Sequence, residues 1–277
     1  RTLTMAAVPV TVGAVLAWAG GTNPDWLTFI ATLACAVLIQ IGTNLLNDAK
    51  DGERGADGPD RIGPLRITGA GLAKPKQVRR AALACFVAAL AAGLYLVFVG
   101  GMPILLIGLA SLVSGYAYSS GRRPLSHGPF SEVYVIVFFG LVAVAGSYYL
   151  QSGQMPEGAV LLTGIAIGCY AAAVLLVNNL RDTAADLRAG RKTLAGRLGT
   201  RATQVLYGFL VLIPFPMLAF AWGVQAVGLA WLSLPVCLWL ALRFAAMQVG
   251  PSMNAQLGRT AMVQVLVGTL LIVEQLS

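Results

Sequence analysis

Apolar residues in this chain come in blocks about as long as a membrane is thick, and nothing else in it constrains the fold so strongly. Nine such stretches run roughly over 3–21, 27–48, 78–99, 102–120, 131–151, 157–180, 202–222, 225–246 and 255–276. A spanning helix needs ~20 predominantly apolar residues, so each is long enough to cross. Of the 277 residues 57% are hydrophobic and 11% charged, too little polar surface to cover a soluble globule of this size. The expected fold is all-α, a polytopic membrane protein of nine transmembrane helices forming a single domain over 1–277. No room remains for a separate soluble domain.

The placement of charge tests that count, because alternate connections should differ in basicity when the segments really cross a bilayer. All 19 Lys and Arg residues lie at the N-terminus, in the second, fourth, sixth and eighth connections, or within about a turn of them. The remaining connections hold none, and Asp25, Glu157 and Glu274 fall there instead. This predicts a cytoplasmic N-terminus and a C-terminus outside. The net charge of +8 therefore reflects topology, and no nucleic-acid partner is expected. The first stretch is long enough to span and lacks a small-residue cleavage pattern, so it reads as a helix and not as a cleaved signal.

Cys35, Cys85, Cys169 and Cys237 each lie alone in a separate apolar stretch, as small packing residues would. His127 is the only histidine, which leaves little for zinc chemistry and reads as a loop residue. Trp18, Trp222, Trp231 and Trp239 fall near the ends of their stretches and read as interfacial anchors.

Two acidic stripes remain. Asn44, Asp48 and Asp51 end the second stretch in NLLNDAKD, and Asn178, Asp182 and Asp186 end the sixth in NNLRDTAAD. Successive members lie about one helical turn apart, so each stripe keeps an amide and two carboxylates on one face. Each is followed by a Gly- and Arg-rich connection, which suggests duplication of a four-helix unit with a ninth helix left over. A single stripe reads as well as a solvated helix end. Two matched stripes oppose the helix dipole twice and call for a compensating ligand.

Carboxylates grouped at the mouth of an apolar bundle repel one another unless a cation joins them. All-oxygen ligation points to Mg²⁺, which typically takes one or two carboxylates together with substrate phosphates. A diphosphate would complete that set, with Arg54, Arg61, Arg66, Arg181, Arg188, Arg191 and Lys192 available to neutralise what charge remains. Its apolar chain would lie among the helices.

The stretch NDAKDGERGADGPDRIGPLRITGAG resembles the first Asp-rich motif of the UbiA superfamily of intramembrane polyprenyltransferases, and NNLRDTAADLRAGRKTLAGRLG resembles the second. The likeness covers nearly the whole chain, including AYSSGRRPLSHGPFSEVYVIVFFG. Within the superfamily, the spacing from Asp51 past Gly55 to Asp57, followed by PDRIGPLR, together with NNLRD and KTLA, resembles the menaquinone-synthesis branch. The resemblance implies a bundle around a central cavity that opens sideways to lipid, with its active site facing the cytoplasm at the cell membrane. It implies two Mg²⁺ ions holding a polyprenyl diphosphate, with Asn47, Asp48, Asp51 and Asp57 at the first cluster and Asp182 and Asp186 at the second. Asn44 and Asn178 would orient water or the aromatic acceptor, 1,4-dihydroxy-2-naphthoate. Tyr118 and Arg123 match a pocket-lining loop, where Arg123 would pair with the acceptor carboxylate; Arg122 departs from the expected Asn and reads as an ordinary basic loop residue. The expected activity is prenyl transfer with loss of CO₂. Two rivals are another aromatic acceptor, such as 4-hydroxybenzoate or homogentisate, and a secondary transporter. Transporter sites favour the bilayer midplane, whereas both stripes lie at helix ends.

Overall fold

A computed structural model describes residues 2–53, 62–64, 66–120 and 124–277, and the described residues form helices and turns without strands. The chain runs through α1 (Thr4–Ala19), α2 (Trp26–Glu53) and α3 (Pro75–Ser119). A broken rod follows, made of α4 (Ser131–Ile136), a π-helical turn Val137–Val142 and α5 (Ala143–Ser152). Then come α6 (Gly158–Arg181), the short α7 (Thr183–Arg188), α8 (Leu194–Leu212), α9 (Pro214–Trp222), α10 (Leu234–Ala245) and α11 (Met253–Leu276). Among the described residues, six helices are long and apolar enough to cross a membrane, while Thr4–Ala19 and Leu229–Ala245 are shorter apolar helices.

The nine apolar stretches all fall on helix, and the shortfall to six has local causes. Two stretches share α3, which is broken at Gly101 with φ 66°. A straight helix of 45 residues would reach about 67 Å, yet a Cβ on Gly115 would lie 3.5 Å from the Phe86 ring. The chain therefore turns back at Gly101, where a left-handed φ suits glycine, and Pro103 follows within the next turn. Helix α1 has only 16 residues, and the 225–246 stretch opens with two 3₁₀ turns before α10; α8 and α9, divided at Pro214, together make one span, Leu194–Trp222.

Helix α6 is the hub. Its membrane-length window is 78% buried, against 22% for α2 and 17% for α3. Small residues make that position possible: a Cβ on Gly168 would stand 2.7 Å from the Ile136 carbonyl oxygen, and one on Gly140 would stand 2.4 Å from that of Gly164. Backbones in this contact approach as closely as membrane helices do where small residues meet. Around this core, Leu83, Leu94, Phe98, Leu106, Phe209 and Phe220 are exposed, an apolar belt far larger than a soluble monomer carries.

Hydrogen bonds sort the connections into two ends. At one end Asn44 Nδ2 donates to Thr2 Oγ1, Lys192 N to the His127 carbonyl and Asn254 Nδ2 to the Ile62 carbonyl. At the other, Trp18 Nε1 and the Asp25 amide both donate to Gln151 Oε1, and the Leu229 amide donates to the Glu274 carboxylate. This is the grouping that the segregation of basic residues requires. His127 is a loop residue as read, and all four cysteines are free. Of the four tryptophans read as anchors, Trp18 and Trp222 spend their indole N–H on Gln151 and Thr163, and Trp231 packs on Phe215. Trp239 alone is exposed, with Arg243 and Arg259 each over its ring at 5.5 and 5.6 Å.

Candidate active site

The site lies at the basic end, where α2 and α6 both finish. Asp48 turns back to hold the incoming connection: its carboxylate accepts from the Ile67 amide at 2.9 Å, the Thr68 amide at 3.1 Å and the Thr68 hydroxyl. Gly52 permits this, because a Cβ there would stand 2.5 Å from Thr68 Oγ1. One turn on, Asp51 is 2% exposed and is paired with two guanidiniums, those of Arg66 and Arg191. Arg191 also reaches Asp186 at 3.2 Å. A single arginine thus joins the first stripe to the second across the bundle.

The second stripe is fixed by Arg181, which is 3% exposed. It binds the Asp182 carboxylate through two nitrogens at 2.8 and 2.6 Å, and donates to Asn178 Oδ1 and Asn254 Oδ1 at 2.8 Å each. Since Asn254 in turn holds the Ile62 carbonyl, the connection after α2 is anchored on α6 and α11 as well as on Asp48. Burial pushes the Asp186 carboxyl up to about 6; Asp182 and Asp51 add to the rise and Arg191 opposes it. Asp51 of the first stripe and Asp186 of the second share the Arg191 guanidinium, which puts the two stripes within electrostatic reach of each other.

Beneath these acids opens a cavity of about 470 Å³. Asn44, Asn47, Arg66, Tyr118, Asn178 and Arg181 line it, so the structure brings together six residues proposed from sequence. Asp48, Asp51, Asp182 and Asp186 sit at its mouth, outside the lining. Going inward, the wall becomes apolar and ends on Leu96, Ile104 and Leu150, one buried cluster. Tyr134 and Phe138 stack at 4.5 Å between centroids, with Tyr118 at 6.0 Å from Tyr134, and all three line the cavity.

The Lys192 side chain is exposed and outside the lining, and its contribution is the backbone bond to His127. Arg54, Asp57, Arg61 and Arg123 lie outside the described residues. Among the described residues no three carboxylate, histidine or cysteine side chains gather as a metal cluster. The acids expected to converge on one another converge on arginines, which separate like charges that would otherwise repel. The donor chemistry still fits a hard cation: Asp51 and Asp186 meet on the two sides of one guanidinium, and both offer carboxylate oxygens. Sequence reasoning counted Arg191 only as one of many bases, and it missed Thr68 and Asn254. Neither of these carries a periodic signal, because each acts through contacts distant in the chain.

A helical bundle with carboxylates and arginines over an apolar cavity is the architecture of a membrane protein with room for a molecule charged at one end and apolar along its length. The chain belongs to the UbiA prenyltransferase family, whose model matches residues 6–260, and it is a prenyl-transferring enzyme. Among its relatives, it is 38% identical over 214 residues to the 1,4-dihydroxy-2-naphthoate octaprenyltransferase of Mycobacterium tuberculosis, covering 77% of this chain and 72% of that one. It is 34% identical over 271 residues to that of Mycobacterium leprae, covering 96% and 90%. The solved UbiA homolog from Archaeoglobus fulgidus bound to GPP and Mg²⁺ shares the fold, with TM-score 0.67 at 13% identity over 99% of this chain and 97% of that one.

Proposed function

We propose that this protein transfers a polyprenyl group from a polyprenyl diphosphate to 1,4-dihydroxy-2-naphthoate, with loss of diphosphate and CO₂, in a Mg²⁺-dependent step of menaquinone synthesis. The product is demethylmenaquinone, formed at the hydroquinone level. One observation carries the reading: a single cavity runs from the polar mouth at Asn47, Arg66 and Arg181 to an apolar end at Leu96, Ile104 and Leu150. It suits a molecule with a diphosphate at one end and a hydrocarbon chain at the other. The named relatives support the acceptor.

The chemistry follows from charge. Cleaving the allylic C–O bond leaves positive charge on carbon and negative charge on the departing diphosphate. Bound Mg²⁺, two ions in this reading, supplies Lewis acidity to that leaving group. Asp48, Asp51, Asp182 and Asp186, with Asp57, would hold the metal, and Arg66 and Arg181 would neutralise diphosphate oxygens from the cavity wall. The faces of Tyr118, Tyr134 and Phe138 offer electron density to the allylic carbon and keep water from it. A ring carbon of the acceptor then bonds the allylic carbon, and the acceptor carboxyl leaves as CO₂; Arg123 is assigned to that carboxylate. The chain is taken as one domain of nine crossings, with its N-terminus and site toward the cytoplasm of the cell membrane.

The test is an assay of purified protein with Mg²⁺, a polyprenyl diphosphate and a panel of aromatic acids, reading products by mass. Dihydroxynaphthoate should be the acceptor turned over. Asp51→Ala and Asp182→Ala should each lose at least a hundredfold in turnover while keeping the wild-type gel-filtration profile. Activity within tenfold of wild type in either variant would sink the metal assignment.

A further inference from the structure

Gln40 continues the first stripe one turn deeper than Asn44, on the cavity face of α2 that also carries Thr43 and Asn47. It is 5% exposed, and its side-chain oxygen has no hydrogen-bond partner among the described residues. Buried amide oxygens are nearly always paired, because water left behind must be replaced by another donor. Gln40 lines the cavity, and a turn of its side chain brings the closed-off oxygen to an occupant, which then supplies the missing donor.

Depth selects the occupant. At 1.5 Å per residue, Gln40 lies about 12 Å below Asp48 and about 6 Å below Asn44, too deep for a diphosphate held by the acids at the mouth. It lies short of the apolar end formed by Leu96, Ile104 and Leu150. A prenyl tail has no donor and would leave the oxygen unpaired, and a carboxylate would bring only further acceptors. A phenolic hydroxyl supplies the donor on a flat ring, and flat walls are present in Tyr134 and Phe138, stacked at 4.5 Å in the same cavity.

We propose that Gln40 forms the hydroxyl subsite for the aromatic acceptor, its carboxamide oxygen accepting a hydrogen bond from a ring hydroxyl. This rests on the acceptor class named under the proposed function. Loss of the pair should act on acceptor recognition and spare the donor.

The experiment compares steady-state constants of the wild type, Gln40→Met and Gln40→Glu. Methionine keeps the length and removes the acceptor atom; glutamate keeps a carbonyl oxygen in place. The expected result for Gln40→Met is a rise of about tenfold or more in acceptor KM, the size set by one unpaired buried polar group, with donor KM within twofold. Gln40→Glu should recover most of the loss. With mono-hydroxy naphthoates, one of the two isomers should show no difference between wild type and Gln40→Met. A raised donor KM with an unchanged acceptor KM would assign Gln40 to the tail and overturn the proposal, as would no change in either constant. Failure of the naphthoate reading appears separately, in the wild type turning over a different phenolic acid from the panel, and the Gln40 comparison is then made with that acid.

Discussion

Asp186 is where burial and charge meet most directly. Its carboxyl is pushed up to about 6 because the folded site strips water from it and sets Asp182 and Asp51 nearby, against the pull of Arg191. Below that value the group carries a proton, and a cation must displace it to bind. Mg²⁺ affinity should therefore fall as pH drops through about 6. The half-saturating Mg²⁺ concentration for turnover should be several-fold higher at pH 5.5 than at pH 7.5, and Asp186→Asn should flatten that difference. The stripes themselves were legible in the sequence, since residues one turn apart on a helix are neighbours whatever else the chain does. The partners of Asp51 were not. Arg191 reaches it from 140 positions away, and no periodicity encodes a contact of that kind. Gln40 was overlooked for a different reason: it sits inside a hydrophobic run, one turn before the first residue that looked polar enough to count.

Elements were legible as far as apolarity determines them and no further. Every apolar stretch became helix, but hydropathy does not report where a backbone hydrogen bond is broken. Gly101 turns α3 back on itself, Pro214 divides α8 from α9, and α10 is preceded by the 3₁₀ turn Leu229–Ser233. The contact between the π-helical turn and α6 was equally hidden, because glycines read as packing residues everywhere in such a chain. Only the fold shows that Gly140 and Gly168 meet backbone to backbone. Gly168→Val should force the two elements apart and cost about 1–3 kcal/mol. The measurement is thermal unfolding in detergent, with the melting temperature lowered by several degrees and Gly93→Ala, which faces open space, as the neutral control.

The whole molecule is organised by the division of its connections into two ends, which the basic residues announced and the hydrogen bonds reproduce. The family expected from the two Asp-rich motifs is the family matched over residues 6–260. Orientation can be tested on intact cells with a membrane-impermeant maleimide. Gln154→Cys, exposed at the end without basic residues, should label at once, and Lys76→Cys, exposed at the basic end, only after permeabilisation. The reverse pattern would invert the topology. The latch formed by Arg191 between Asp51 and Asp186, with Arg66 beside it, has a consequence for the catalytic cycle. Each acid already holds a counter-charge, so under the proposed function binding of a metal diphosphate would be a swap of partners and not the filling of a bare anionic hole. On departure of the spent diphosphate with its ions, the guanidiniums would swing back onto the carboxylates, and the cycle would close without a deep trap on the product side.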